Sequence, residues 1–281
     1  MKRLLPLFLA VILCFTFVGC SEANDQTPQA ESPSETITQI ESESSTASTE
    51  EITSPPETTT TAMPETTDQP STVSTTPPDV AEQLPVDSSF SIHFIDVGQA
   101  DAALVECDGH YMMIDGGNKA DSSLIYSVLK NTGVTKLDIV VGTHAHEDHI
   151  GGLPGAFNCA TADLTLCPTT NYDSDAFNDF KKYAEKNGGG ITIPSAGDTY
   201  TLGSATIDIL GVNDGSDTNN TSIVLKITYG STAFLFTGDA EREVEQAILN
   251  RGADLSATVL KVGHHGSDTS TTYPFLREIM P

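Results

Sequence analysis

Between Thr143 and Gly152 the chain reads T-H-A-H-E-D-H-I-G-G, which places His144, His146, Asp148 and His149 inside six residues. The whole chain has seven histidines, so three in one such window is not what ordinary composition produces. His146 and His149 alone would suit one helical face. Four donors this close are better served by a loop that turns them toward one place and holds two metals. Imidazole nitrogen and carboxylate oxygen are ligands for zinc and similar ions. The segment just before, Leu137-Asp138-Ile139-Val140-Val141, is a β-branched run that reads as a buried strand. Loops past strand ends are where sheet proteins usually carry their chemistry. The cluster therefore demands a sheet whose strands finish at a ligand-bearing edge.

Two further runs end the same way. Ala233-Phe234-Leu235-Phe236 leads into Thr237-Gly238-Asp239, and Thr258-Val259-Leu260-Lys261-Val262 into Gly263-His264-His265-Gly266-Ser267. Strands are expected near 90–95, 102–106, 110–115, 137–143, 191–193, 206–211, 222–229, 232–237 and 257–262, with helices at 121–132, 174–187 and 240–251. Mixed strands and helices in this order imply a layered α/β architecture, and about 190 residues make one domain, 89–281.

These segments resemble the metallo-β-lactamase superfamily, in the branch represented by the hydrolase domain of the competence protein ComEC. The resemblance is carried by Phe94-Ile95-Asp96-Val97-Gly98-Gln99-Ala100-Asp101, the histidine cluster, Phe236-Thr237-Gly238-Asp239 and Lys261-Val262-Gly263-His264-His265-Gly266-Ser267. Met113-Ile114-Asp115-Gly116-Gly117 and Asn219-Asn220-Thr221-Ser222 are further matches. It implies an αββα sandwich with two divalent ions at the edge between its sheets, zinc favoured and manganese the alternative. His144 and His146 would hold the first ion, Asp148 and His149 the second, with Asp239 bridging. One of His264 and His265 would complete the second site. Family habit favours His265, directly before a glycine, which leaves His264 to face substrate or assist proton transfer. Asp148 would also orient the attacking water. Two ions about 3.5–4 Å apart would activate that water for attack on phosphorus or a carbonyl carbon.

One departure from the family stands out. Many members supply another histidine to the first ion from the stretch before the bridging aspartate, yet no histidine occurs between His149 and His264. That site then has open positions, favours a harder ion, or borrows Asn219 or Asn220. Asp115 is expected behind a ligand histidine, with a plain turn aspartate as the alternative. Asp96, Gln99 and Asp101 would line the cleft or form a surface hairpin. His93 and His110 read as structural.

The first ninety residues concern location. Met1-Lys2-Arg3 and the apolar run Leu4 to Val18 have the form of a secretory signal, too short for an ordinary membrane span. Phe17-Val18-Gly19-Cys20 resembles a bacterial lipobox, so residues 1–20 are expected to be a signal with Cys20 lipidated. An uncleaved anchor and a signal with an incidental Cys20 are the alternatives. Residues 21–88 are Ser, Thr, Pro and Glu with few large apolar side chains, a composition that stays disordered. Such a tether would span on the order of 45 Å and place the domain outside the bacterial cell membrane.

Charge bears on substrate. Residues 90–281 carry eleven basic and twenty-five acidic residues, a balance of −14. Phosphate-backbone binders normally show a basic stripe, and none is visible. A small phosphodiester or nucleotide-like substrate is therefore favoured over DNA taken up as by a ComEC-type nuclease. A non-catalytic module that merely retains the fold is the reading from another class. Cys159 and Cys167 are candidates for a disulfide. The branch usually continues past the His-His-Gly-Ser loop into another strand and helix, so a C-terminal truncation near Pro281 is expected.

Overall fold

Three short runs open the fold as an antiparallel meander: β1 (Phe90–Phe94), β2 (Ala102–Cys107) and β3 (His110–Gly116). They belong to a computed structural model that describes Leu84, Pro85 and residues 87–281. The expected signal, Cys20 and nearly all of the expected tether lie outside the described residues. Among the described residues no helix is long and apolar enough to cross a membrane.

After β3 the chain alternates helix and strand, and the pairing turns parallel, as crossover connections require. Helix α1 (Ser122–Thr132) leads to β4 (Lys136–Val141). The short α2 (Glu147–Ile150) and α3 (Leu153–Cys159) lead to β5 (Thr161–Leu166), and α4 (Asp175–Asn187) leads to β6 (Ile191–Thr192). The first sheet runs β1-β2-β3-β4-β5-β6. The second begins as another meander, β7 (Thr199–Leu202), β8 (Ala205–Gly211), β9 (Val224–Tyr229) and β10 (Thr232–Phe236). Helix α5 (Arg242–Arg251) then returns the chain so that β11 (Val259–Lys261) lies parallel beside β10, and α6 (Tyr273–Ile279) follows.

Side chains that alternate along a strand face opposite sides of a sheet, and this alternation assigns the layers. Val105, Met112, Ile114, Ile139 and Val141 of the first sheet meet Ile207, Ile209, Leu225, Ile227 and Phe236 of the second in one buried cluster. The intervening Leu104, Met113 and Val140 pack outward against Ile125, Leu129, Leu153, Phe157, Phe177 and Phe180 of α1, α3 and α4. On the far side Val224 and Leu235 pack against Val244, Ile248, Phe275 and Ile279 of α5 and α6. Helices, two sheets and helices make an αββα sandwich. Each fully buried aliphatic or aromatic side chain contributes about 1.5–3 kcal/mol.

The expected helices lie within one or two residues of α1, α4 and α5. Strands β5 and β7 and helices α2, α3 and α6 were not among the expected elements, and two of them show why. Strand β5 carries Asp163 and two threonines and so lacks an apolar signature; its pairing with β4 makes it a strand. Helix α3 contains Pro154 and Gly155, ordinarily breakers. Pro154 sits in the first turn, where it is tolerated, and a Cβ on Gly155 would meet the Ser122 carbonyl at 1.9 Å. The candidate Cys159–Cys167 disulfide is not formed. Cys107, Cys159 and Cys167 are free thiols; Cys167 lies inside the core, and burial pushes its thiol up to about 12.

Candidate metal centre

Strands β3, β4, β10 and β11 all finish at one edge of the sandwich, because β3 and β4 run parallel, as do β10 and β11. The loops leaving those four ends carry the site. After β4, Gly142 and Thr143 lead to His144, and His146 begins α2 on an extended backbone, so that Asp148 and His149 project from its single turn. After β10, Gly238 takes φ +52° with Thr143 and Ser222 packed 3.0 Å from where a Cβ would stand, which only glycine accommodates without strain. Its neighbour Asp239 is thereby presented beneath the histidines. After β11, His264 and His265 both adopt left-handed backbone, at φ +50° and +52°. Non-glycine residues rarely do so, and such strain gathers at functional sites.

The side chains meet around Asp239. His149 Nε2 lies 3.2 Å from Asp239 Oδ1, His265 Nε2 3.5 Å from Oδ2, and His144 Nε2 and His264 Nε2 each 3.8 Å from Oδ2. His146 Nδ1 is 3.0 Å from His144 Nε2, and Asp148 Oδ2 is 3.3 Å from His265 Nε2. All six residues expected as metal ligands are thus brought together, with His264 at the rim. His93 is exposed on β1, and His110 pairs with Asp138 at 3.0 Å, both away from this cluster. Asp96 and Gln99 are exposed in the β1–β2 turn; of that trio only Asp101 reaches the site.

Behind the histidines stand carboxylates. Asp115, fully buried and itself at φ +55°, lies 2.8 Å from His149 Nδ1 and accepts from the Thr143 N–H and hydroxyl, each at 2.8 Å. Asp101 sits 3.4 Å from His265 Nδ1 and is anchored by Lys261 Nζ at 2.8 Å. Each imidazole is therefore held at Nδ1, with Nε2 turned to the centre, the arrangement that fixes a ligand histidine's tautomer. His264 is held in the same manner at Nδ1, by Thr269 Oγ1 at 3.1 Å and Glu241 Oε1 at 3.2 Å. Glu241, Thr269 and Lys261 carry no motif that sequence reading could have singled out; the folded loops bring them in.

Three atoms test whether the residues fit a metal. His149 Nε2, His265 Nε2 and Asp239 Oδ1 are sealed from solvent, and none makes a hydrogen bond among the described residues. Buried polar atoms are ordinarily satisfied, so lone pairs left facing one another call for a cation. Ligand atoms of Asp101, His149, Asp239 and His265 all lie within 4.8 Å of one another. The electrostatics agree. Interaction with Asp101, then Asp148 and Asp239, pushes His265 up to about 11. Burial disfavours charge on His149, yet Asp115 and Asp239 outweigh it and raise that group to about 10. Burial likewise opposes ionisation of Asp239, but His149 and His265 hold its carboxyl well below the usual range. Carboxylates crowd this centre, and their field favours a cation there. The donor set fits.

Residues 95–280 match the family model of the metallo-beta-lactamase superfamily. The chain belongs to that superfamily, whose members are generally metal-dependent hydrolases. It is 27% identical over 216 residues to ComE operon protein 3 of Bacillus subtilis, covering 70% of this chain and 28% of that protein. It is 26% identical over 190 residues to competence protein ComA of Neisseria gonorrhoeae, covering 66% of this chain and 25% of that one. The chain thus spans about a quarter of the length of these curated relatives, which bear out the likeness to ComEC-type proteins. Among solved structures it resembles MEM-A1, a subclass B3 metallo-beta-lactamase from a soil metagenome library, at 15% identity and a TM-score of 0.45, over 62% of this chain and 76% of that one.

Proposed function

We propose that this chain is a dinuclear metal-dependent phosphodiesterase held outside the cell membrane through a lipid on Cys20. The observation that supports it most is the pair His149, buried, and His265, partly buried, each backed by a carboxylate at Nδ1 and left without a hydrogen bond at a sealed Nε2 among the described residues, on either side of Asp239. In this reading His144 and His146 would hold the first ion, Asp148, His149 and His265 the second, and Asp239 would serve both. The ions, zinc or manganese, supply activation of water near neutral pH and stabilisation of charge on phosphoryl oxygens.

The protein's own groups do the rest. Asp115 and Asp101 keep His149 and His265 in the tautomer that offers Nε2. Asp148, partly open to solvent, orients the attacking water. His264, steadied by Glu241 and Thr269, presents Nε2 at the rim, where it can hand a proton to the leaving oxygen. The −14 balance of residues 90–281 favours a small phosphodiester or nucleotide-like substrate over DNA.

The test is hydrolysis of bis(p-nitrophenyl) phosphate by the purified chain with zinc or manganese added. Turnover that disappears in Asp239→Ala is the expected result. No turnover with either ion, in a folded protein, would leave the non-catalytic module as the better reading.

A further inference from the structure

The two ion sites are unequally furnished. The second has Asp148, His149 and His265 in addition to Asp239, whereas the first has only His144 and His146, and the chain offers it no further histidine between His149 and His264. One segment is fastened against it from both sides. The turn Asn219–Thr221 precedes β9, and there the Ile223 N–H donates to the Thr143 carbonyl at 2.8 Å, next to His144. In the same turn Ser222 Oγ accepts from the Asp239 N–H at 3.1 Å. Asp217, just before the turn, accepts from the Asn220 N–H at 2.9 Å.

The two adjacent asparagines of this turn are employed differently. Asn220 is committed at both ends: its Oδ1 accepts from the Glu241 N–H at 3.0 Å, and its Nδ2 donates to Asp217 Oδ2 at 2.9 Å. Asn219 Oδ1 is sealed from solvent and accepts no hydrogen bond among the described residues. Among the described residues, the other buried side-chain atoms so left are His149 Nε2, Asp239 Oδ1 and His265 Nε2, all three in the candidate metal centre. A buried carbonyl oxygen without a partner destabilises the folded chain. Cation binding would remove that cost.

We infer that the Asn219 side-chain carbonyl is the missing ligand of the first ion, in the role that an imidazole would otherwise have. This rests on the two-ion reading above. Amide oxygen is a harder donor than imidazole, so the exchange shifts the first site away from zinc and toward manganese. The two sites then differ in metal preference within one centre.

Calorimetric titration of the metal-free full chain with manganese and with zinc tests this, with bound ions counted by elemental analysis and no reliance on turnover. Asn219→Ala is expected to weaken the lower-affinity site about tenfold or more while the tighter site is unchanged. Asn219→His is expected to tighten zinc at that same site and to reverse its preference over manganese. Among the described residues Asn219 Oδ1 makes no hydrogen bond that either substitution would break, and thermal unfolding of the metal-free variants checks that the fold is kept. Two ions in the native chain, with both affinities unaltered in Asn219→Ala and no gain in zinc affinity in Asn219→His, would overturn the assignment alone. Fewer than two ions in the native chain would overturn it together with the dinuclear reading.

Discussion

Asp115 shows how one carboxylate can organise a centre it does not enter. It ties the Thr143 N–H and hydroxyl on one side and His149 Nδ1 on the other, so the loop after β4 and the ligand imidazole are set by a single group. Asp115→Ala is predicted to weaken ion binding at the second site about 10–100-fold, read by metal titration, because His149 loses its orientation. It also leaves the buried Thr143 donors unsatisfied, at a cost of about 1–3 kcal/mol in urea unfolding. At this scale much was legible in the chain. The four cluster residues, Asp239 and the histidine pair announce themselves because they sit beside strands and glycines in a dense pattern. Asp101 could be placed near the cleft but not behind His265, since that relation depends on Lys261 reaching across from β11. Glu241 and Thr269 were invisible, being ordinary residues made significant by two loops that meet only in the fold.

Among elements, the site edge is secured by contacts far from any metal. Glu245 of α5 is buried, and its carboxylate accepts from the Thr271 and Thr272 N–H groups and the Thr272 hydroxyl at the start of α6. It thereby holds the end of the His264–His265 loop, with a negative charge at a helix N-terminus where it is favoured. Glu245→Ala is predicted to cost about 2–3 kcal/mol in urea unfolding. A cost near zero would show that the loop is positioned by other means. At the opposite end Asp108, in the β2–β3 turn, accepts from Ser204 in the β7–β8 turn and from Ser88 and Ser89 before β1. These donors, Ser204 first, hold its carboxyl well below the usual range. A lowered carboxylate pKa gives stability that is present above the unfolded value of about 4 and fades as pH falls below it. Asp108→Asn is thus predicted to lower the urea midpoint at pH 7, and the gap from the native chain should narrow by about pH 2. Helix α5 could be read from its charged start, whereas β5 could not: Thr161-Ala162-Asp163-Leu164-Thr165-Leu166 becomes a strand only because β4 supplies a partner.

For the whole molecule, the αββα layering followed from strand–helix order and the family likeness, while the charge balance was plain from composition. A surface carrying −14 over residues 90–281 should repel duplex DNA. Titration of labelled duplex DNA at physiological salt is predicted to show no saturable binding; tight binding with a steep loss of affinity on adding salt would instead favour DNA as substrate. Ligands carried after three strand ends would also make bound ions part of the fold, so chelation should lower the thermal midpoint, and added zinc or manganese should restore it. Everything proposed for this chain depends on two ions at the seam between the sheets. The most direct test is the number of divalent ions retained per chain by the purified protein, measured by elemental analysis for the native sequence and for Asp239→Ala. Two ions per native chain, falling to one or none in the variant, is the predicted result. A native chain, reconstituted with zinc or manganese, that retains none would contradict the account.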